Sequence, residues 1–163
     1  MNVSAVIVFV AIGSALEIIQ NTLLDFIAIR GVHADLILIV ASYTAFQFGS
    51  QTGQVSGFLL GIVEDAVAIT PFGFHSIVRL VHSSILGFAR GTVALDYVVI
   101  PVLLVIIASG IKVAMVAAVT AVFSLNDLAN PVWTISTLIE ISYTAAVAPL
   151  VFAALRKIKK PDG

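Results

Sequence analysis

Cysteine is absent from the 163 residues, which excludes a disulfide framework, a thiolate metal site and a cysteine nucleophile. Charge is scarce as well: Asp, Glu, Lys and Arg together make up 10% of the chain, against roughly a quarter in an ordinary soluble domain. So little polar surface cannot cover a water-exposed globule. What is present instead is apolar, with 60% hydrophobic residues and a mean hydropathy of +1.15. That is enough to cross a bilayer several times at roughly 20 residues per span. It leaves no room for a second domain of ordinary size, so residues 1–163 read as one integral membrane domain. The formal net charge of −1 says little about partners, because placement of charge governs a membrane protein more than its sum.

Six apolar stretches divide the chain, at about 3–19, 35–48, 54–69, 74–89, 97–123 and 131–155. The first is expected to continue as an amphipathic turn through Asp25 to Arg30. Polar or turn-forming residues separate the others: Gly49-Ser50-Gln51-Thr52-Gly53, Thr70-Pro71-Phe72-Gly73, Arg90-Gly91, and a loop over Ser124–Asn130 that ends at Pro131. The amino terminus lacks the basic region and small-residue cleavage site of a signal peptide and reads as the start of a retained span. A membrane barrel would show alternating ten-residue segments, whereas these are continuous apolar blocks. Helices also satisfy their backbone hydrogen bonds within the segment, as lipid demands. The sequence therefore predicts an all-α membrane protein, a six-transmembrane-helix bundle. Its short second and third spans should be the most enclosed by neighbours.

Half of the eight basic residues lie in the tail Arg156, Lys157, Lys159 and Lys160. The positive-inside rule then places the carboxyl end in the cytoplasm, where it also borders anionic lipid heads. Six spans put the amino terminus there too, with Arg90 on a cytoplasmic loop. Arg30 falls on the outside, as does Asp127 in a loop without Lys or Arg.

Charges at bilayer depth are costly and mark either function or structural pairing. Glu17, Glu64, Asp65, Arg79, Lys112 and Glu140 fall there. Glu64 and Asp65 precede the Pro71 turn by about as much as Arg79 follows it, roughly 9–12 Å of helix on each side. A tight hairpin brings Arg79 level with one carboxylate or the other. Lys112 and Glu140, both mid-span, likewise fall at comparable depth across the Ser124–Asn130 loop. Two buried ion pairs are expected, Arg79 with Asp65 or Glu64, and Lys112 with Glu140. Such pairs fix helix register; the same residue types also build proton or ion pathways. The near balance of acid and base, without a file of carboxylates across the membrane, favours the structural role.

His75, Arg79 and His82 share one face of the fourth helix. Metal binding by the two histidines near Asp65 is disfavoured because Arg79 between them repels a cation. Gly53, Gly57 and Gly61 recur every four residues, the spacing that lets another helix backbone approach closely, within the chain or in a partner. No nucleophile–base constellation and no phosphate-binding glycine loop is visible, so an enzyme is not expected. No cofactor and no nucleic-acid partner is indicated either. Trp133, the single tryptophan, stands near the start of the sixth span as an interface anchor.

The segment from Ala34 to Gly91 resembles the MreD family of bacterial rod-shape-determining membrane proteins. The residues that carry the resemblance are Ala34-Asp35-Leu36-Ile37-Leu38, the run Gly57-Phe58-Leu59-Leu60-Gly61-Ile62-Val63-Glu64-Asp65, and the turn Thr70-Pro71-Phe72-Gly73-Phe74-His75. They match a Pro-Asp-Leu opening to the second span, a Gly-Phe-x-x-Gly-x-x-x-Asp run in the third, and a Pro-x-Gly-x-His turn. The chain departs in Ala34, where the family has proline, and in Glu64 beside the motif aspartate.

The resemblance implies a non-enzymatic scaffold of the cell-elongation complex in the bacterial cytoplasmic membrane. Such a scaffold acts in cell-shape control and lateral peptidoglycan synthesis. It implies an MreC-like single-span partner and, through it, MreB filaments, the RodA glycosyltransferase and its transpeptidase; a homodimer is also open. The family is similar in fold to the substrate-binding subunits of energy-coupling-factor vitamin transporters, which supply the rival function. A binding subunit would need a polar, aromatic-lined pocket and long outer loops to close it. The outer loops here are short.

Overall fold

A computed structural model of the chain describes residues 1–23, 28, 30–68, 70–91, 98–122 and 134–158, with backbone alone at 21–23. Several expectations lie outside the described residues. They are the turn through Asp25, the Ser124–Asn130 loop with Asp127, Pro131, Trp133, the span ends at Ile69, Tyr97 and Phe123, and the tail residues Lys159 and Lys160.

The described residues form six helices: α1 (Val3–Leu23), α2 (Leu36–Phe48), α3 (Ser50–Val67), α4 (Phe74–Phe88), α5 (Val99–Val122) and α6 (Ile135–Lys157). Polar residues cap several of them where the apolar runs begin. Asn2 Oδ1 accepts from the Ala5 N–H at 2.9 Å, Asp35 Oδ1 from Leu38 at 2.7 Å, and Thr134 Oγ1 from Thr137 at 3.4 Å. Pro101 falls in the first turn of α5, where its missing N–H has no helical partner to lose. Pro149 lies inside α6, where its missing N–H removes one bond of the helix ladder.

α1, α5 and α6 are long and apolar enough to cross a membrane, and α2 is apolar but shorter. This is the composition of a membrane protein. With 13 residues α2 is about 20 Å long, less than a hydrocarbon core of about 30 Å. It is the hub of the bundle: every residue from Leu36 to Phe46 is buried, and α2 touches each of the other helices. Aromatic contacts fasten α1 and α6 to it. Phe9 lies 5.4 Å from Tyr43 between ring centroids, and Phe152 meets Tyr43 edge-on at 5.2 Å.

The expected enclosure holds for α2 and not for α3. α3 buries only the face carrying Gly53, Gly57, Leu60, Gly61 and Asp65, while Val55, Phe58 and Val67 are exposed. The break between the second and third stretches is also narrower than the sequence suggests. Gly49 alone separates α2 from α3, at φ 89°, a conformation open to glycine. The polar run that follows it is the first turn of α3 rather than a loop. Its polar groups are bonded: Gln54 Nε2 donates to Ser50 Oγ at 3.0 Å, and Thr52 Oγ1 accepts from the Asn2 N–H at 3.1 Å.

α3 and α4 pair more extensively than any other two described helices. A side chain at Gly53 would meet Ala45; at Gly57, Ser83 and the Arg79 carbonyl oxygen; at Gly61, the backbone of Ser76. The glycine stripe is therefore occupied within the chain, with α4 lying against it. The partner-interface alternative for these three glycines gives way to intramolecular packing.

Candidate functional site

Asp65 and Glu64 are neighbours on α3 with separate tasks. The Asp65 side chain is directed at the start of α4, whose N-cap, Gly73, has no side chain to cap with. Oδ2 accepts from the Gly73 N–H at 3.0 Å, the Ser76 N–H at 3.1 Å and Ser76 Oγ at 2.6 Å. Oδ1 accepts from the His75 N–H at 2.8 Å and His75 Nδ1 at 3.0 Å. Thr70 Oγ1 lies 3.2 Å from the same ring nitrogen. A carboxylate from the preceding helix thus satisfies the free N–H groups of α4 and meets the positive end of its dipole. Asp65 is not the partner of Arg79; of the two candidates, that role belongs to Glu64.

Arg79 is fully buried. Its Nε donates to Glu64 Oε2 at 2.8 Å and its Nη2 to Glu64 Oε1 at 2.9 Å, a two-pronged pairing whose planar geometry matches a carboxylate. Nη2 also reaches both oxygens of Asp35 at 2.8 Å. Lys112 Nζ donates to Glu140 Oε1 at 2.5 Å and to Asp35 Oδ2 at 2.6 Å. Glu140 sits in the second turn of α6 rather than mid-helix.

The two expected pairs are therefore one chain: Glu64, Arg79, Asp35, Lys112, Glu140. It ties α3, α4, the cap of α2, α5 and α6 together. Three carboxylates face two cations, leaving a formal charge of −1. Exposure rises toward the ends, from 1% for the Arg79 side chain to 15% for Glu64 and 32% for Glu140. Glu17 is half-buried on α1.

Asp35 is the member that pairwise reasoning along the sequence missed. Its position held the clue: a lone carboxylate heads an apolar run that the bundle buries from Leu36 to Phe46, so it needs cations in the interior. Here it caps α2, accepts from both cations, and its own N–H donates to Thr144 Oγ1 at 2.9 Å. Burying these charges is tolerable only because each has hydrogen-bonded partners of opposite sign.

One turn along α4 from Arg79, His82 is fully buried with Nε2 3.1 Å from Ser42 Oγ. His75, by contrast, keeps 17% of its side chain exposed and has Nε2 3.7 Å from Glu64. Among the described residues no set of three or more His, Asp and Glu side chains is arranged to hold a metal ion. A half-open cleft of about 240 Å³ lies between α1 and α6, lined by Gln20, His33, Leu36, Tyr143, Val147 and Val151. It is mostly apolar and smaller than the roughly 300–1,000 Å³ of ordinary ligand pockets.

The chemistry available to this arrangement is cohesion. Every carboxylate of the ionic chain is engaged by a cation. No family model matches the chain, and no curated protein or solved structure does.

Proposed function

We propose that the chain is an MreD-like scaffold, a six-span protein of the bacterial cytoplasmic membrane with both termini in the cytoplasm. In this role it binds an MreC-like single-span protein and helps position the wall-synthesis enzymes of cell elongation. The observation that carries the reading is the use made of the residues behind the resemblance. Gly57 and Gly61 seat α4, Asp65 caps it, Pro71 and Gly73 form its turn, and His75 closes onto Asp65. These residues serve architecture. What remains for function is the lateral surface, where Ile7, Ile18, Phe58, Ile107 and Leu150 are exposed. In a bilayer such a surface meets lipid or another protein's helix.

A six-span arrangement requires α2 and α4 to cross while falling short of the full membrane thickness. α2 is suited to this by its complete enclosure, and its submerged Asp35 by the two cations that meet it. For the rival, a vitamin-binding transport subunit, the described residues offer mostly apolar, open surface: the cleft of about 240 Å³ between α1 and α6, and a more open one of about 420 Å³ along α6 lined by Leu138, Ile139, Ser142, Tyr143 and Ala146.

Co-purification distinguishes the two. The protein is expected to leave the membrane, in mild detergent, together with an MreC-like protein of the same cell, and its depletion is expected to round rod-shaped cells. Absence of that partner together with a retained vitamin-sized ligand would sink the scaffold reading in favour of the rival.

A further inference from the structure

Three buried atoms of α4 have no hydrogen-bond partner: Ser83 Oγ, and the pair Arg79 Nη1 and His82 Nδ1. Both side chains are buried to within 1%, and at a separation of three residues they project from the same face of the helix. His82 meets Ser42 of α2, one helical turn beyond Leu38, whose N–H is capped by Asp35, which sets its ring one turn of α2 from the Asp35 link of the ionic chain.

The hydrogen roles on His82 follow from its neighbour. Ser42 Oγ donates its only proton to the Leu38 carbonyl oxygen at 2.6 Å, so toward His82 it offers only lone pairs. The contact at 3.1 Å therefore requires a proton on Nε2. A second proton on Nδ1 would leave a buried N–H unpaired beside two cations, so the ring is neutral and Nδ1 is an acceptor. Arg79 Nη1 can only donate. The two orphaned atoms are thus complementary, an unused donor and an unused acceptor, yet they do not meet each other directly. Leaving each unpaired in the interior would cost roughly 1–3 kcal/mol per group, and buried polar groups of this kind are commonly satisfied by an internal water.

We propose that a buried water molecule bridges Arg79 and His82, accepting from Nη1–H and donating to Nδ1. Guanidinium, water, imidazole and the Ser42 hydroxyl then form one continuous hydrogen-bonded file. It runs from the ionic chain to the Leu38 carbonyl and joins α4 to α2. The site selects a small neutral molecule able to accept and donate at once. A cation is excluded by Arg79, and an anion has no donor at Nδ1 to meet.

Solid-state NMR of the ¹⁵N-histidine-labelled full chain in lipid bilayers tests this, with His82 assigned through Val81 and Ser83. The expected result is a neutral ring protonated at Nε2, with an unprotonated Nδ1 that receives magnetisation from water protons. A ring protonated at Nδ1, a doubly protonated ring, or a bare Nδ1 without water transfer would each overturn the proposal. Arg79→Lys provides a second reading, because it keeps the positive charge and deletes Nη1. Water transfer to Nδ1 should fall severalfold while the Nε2 proton is retained. Undiminished transfer would show that Arg79 does not hold the water.

Discussion

Asp35 accepts from two cations and caps α2 at once, so its removal costs more than removal of a carboxylate at the end of the chain. Asp35→Ala leaves Arg79 and Lys112 underpaired in the interior. A loss of about 3–5 kcal/mol is expected, the range for breaking a buried pair. Glu140→Gln removes only one of the two carboxylates that meet Lys112, leaving Asp35 in place, and should cost clearly less than Asp35→Ala. Unfolding titrations of both variants in the same detergent check this; losses of equal size would contradict the shared-acceptor role of Asp35.

Neighbouring carboxylates with different tasks are also separable. Asp65→Asn turns an amide donor toward donors and should speed hydrogen exchange at the amides of Gly73, His75 and Ser76. Glu64→Gln should leave those three amides protected, because Glu64 serves Arg79 instead. If both variants deprotect the start of α4 alike, the division of labour is wrong.

At the scale of elements, the α3–α4 hairpin depends on backbone approach. A methyl group at Gly61 would run into the Ser76 backbone, whereas one at Gly110 in α5 meets nothing within 4 Å. Gly61→Ala is therefore expected to cost about 1–3 kcal/mol, the usual penalty for overpacking. Gly110→Ala should be neutral or stabilising by up to about 1 kcal/mol through helix propensity. Thermal melts of the two variants give the comparison. The bulkier Gly57→Leu should prevent the hairpin from closing and so lower the yield of folded protein.

The elements themselves were largely legible in the sequence. The stretch at about 35–48 corresponds to Leu36–Phe48, and that at about 74–89 to Phe74–Phe88. Hydrophobic run length and the Pro71–Gly73 turn are local signals, which one-dimensional reading can use. The start of α3 was not legible, because Ser50, Gln51 and Thr52 look like loop residues until their helical and interhelical bonds are seen.

For the whole molecule, the proposed orientation rests on the basic tail, and the absence of native cysteine makes it directly testable. Phe72, exposed in the turn before α4, and Lys157, exposed at the end of α6, lie at opposite faces of the proposed topology. Phe72→Cys should react with a membrane-impermeant thiol reagent in intact cells. Lys157→Cys should react only after permeabilisation. The reverse pattern would invert the topology.

Apolar run length by itself determined that this is a helical membrane protein, because hydrophobicity and backbone hydrogen bonding act locally along the chain. Matching depths across two turns narrowed the charged partners to a few pairs. Only the tertiary structure decided between Glu64 and Asp65, since adjacent residues on a helix point about 100° apart and depth alone cannot choose a direction. Only the tertiary structure brought Asp35 between Arg79 and Lys112, because that meeting depends on which helices surround α2. The physical reason is common to both: a buried charge is satisfied in three dimensions, by partners far away in sequence.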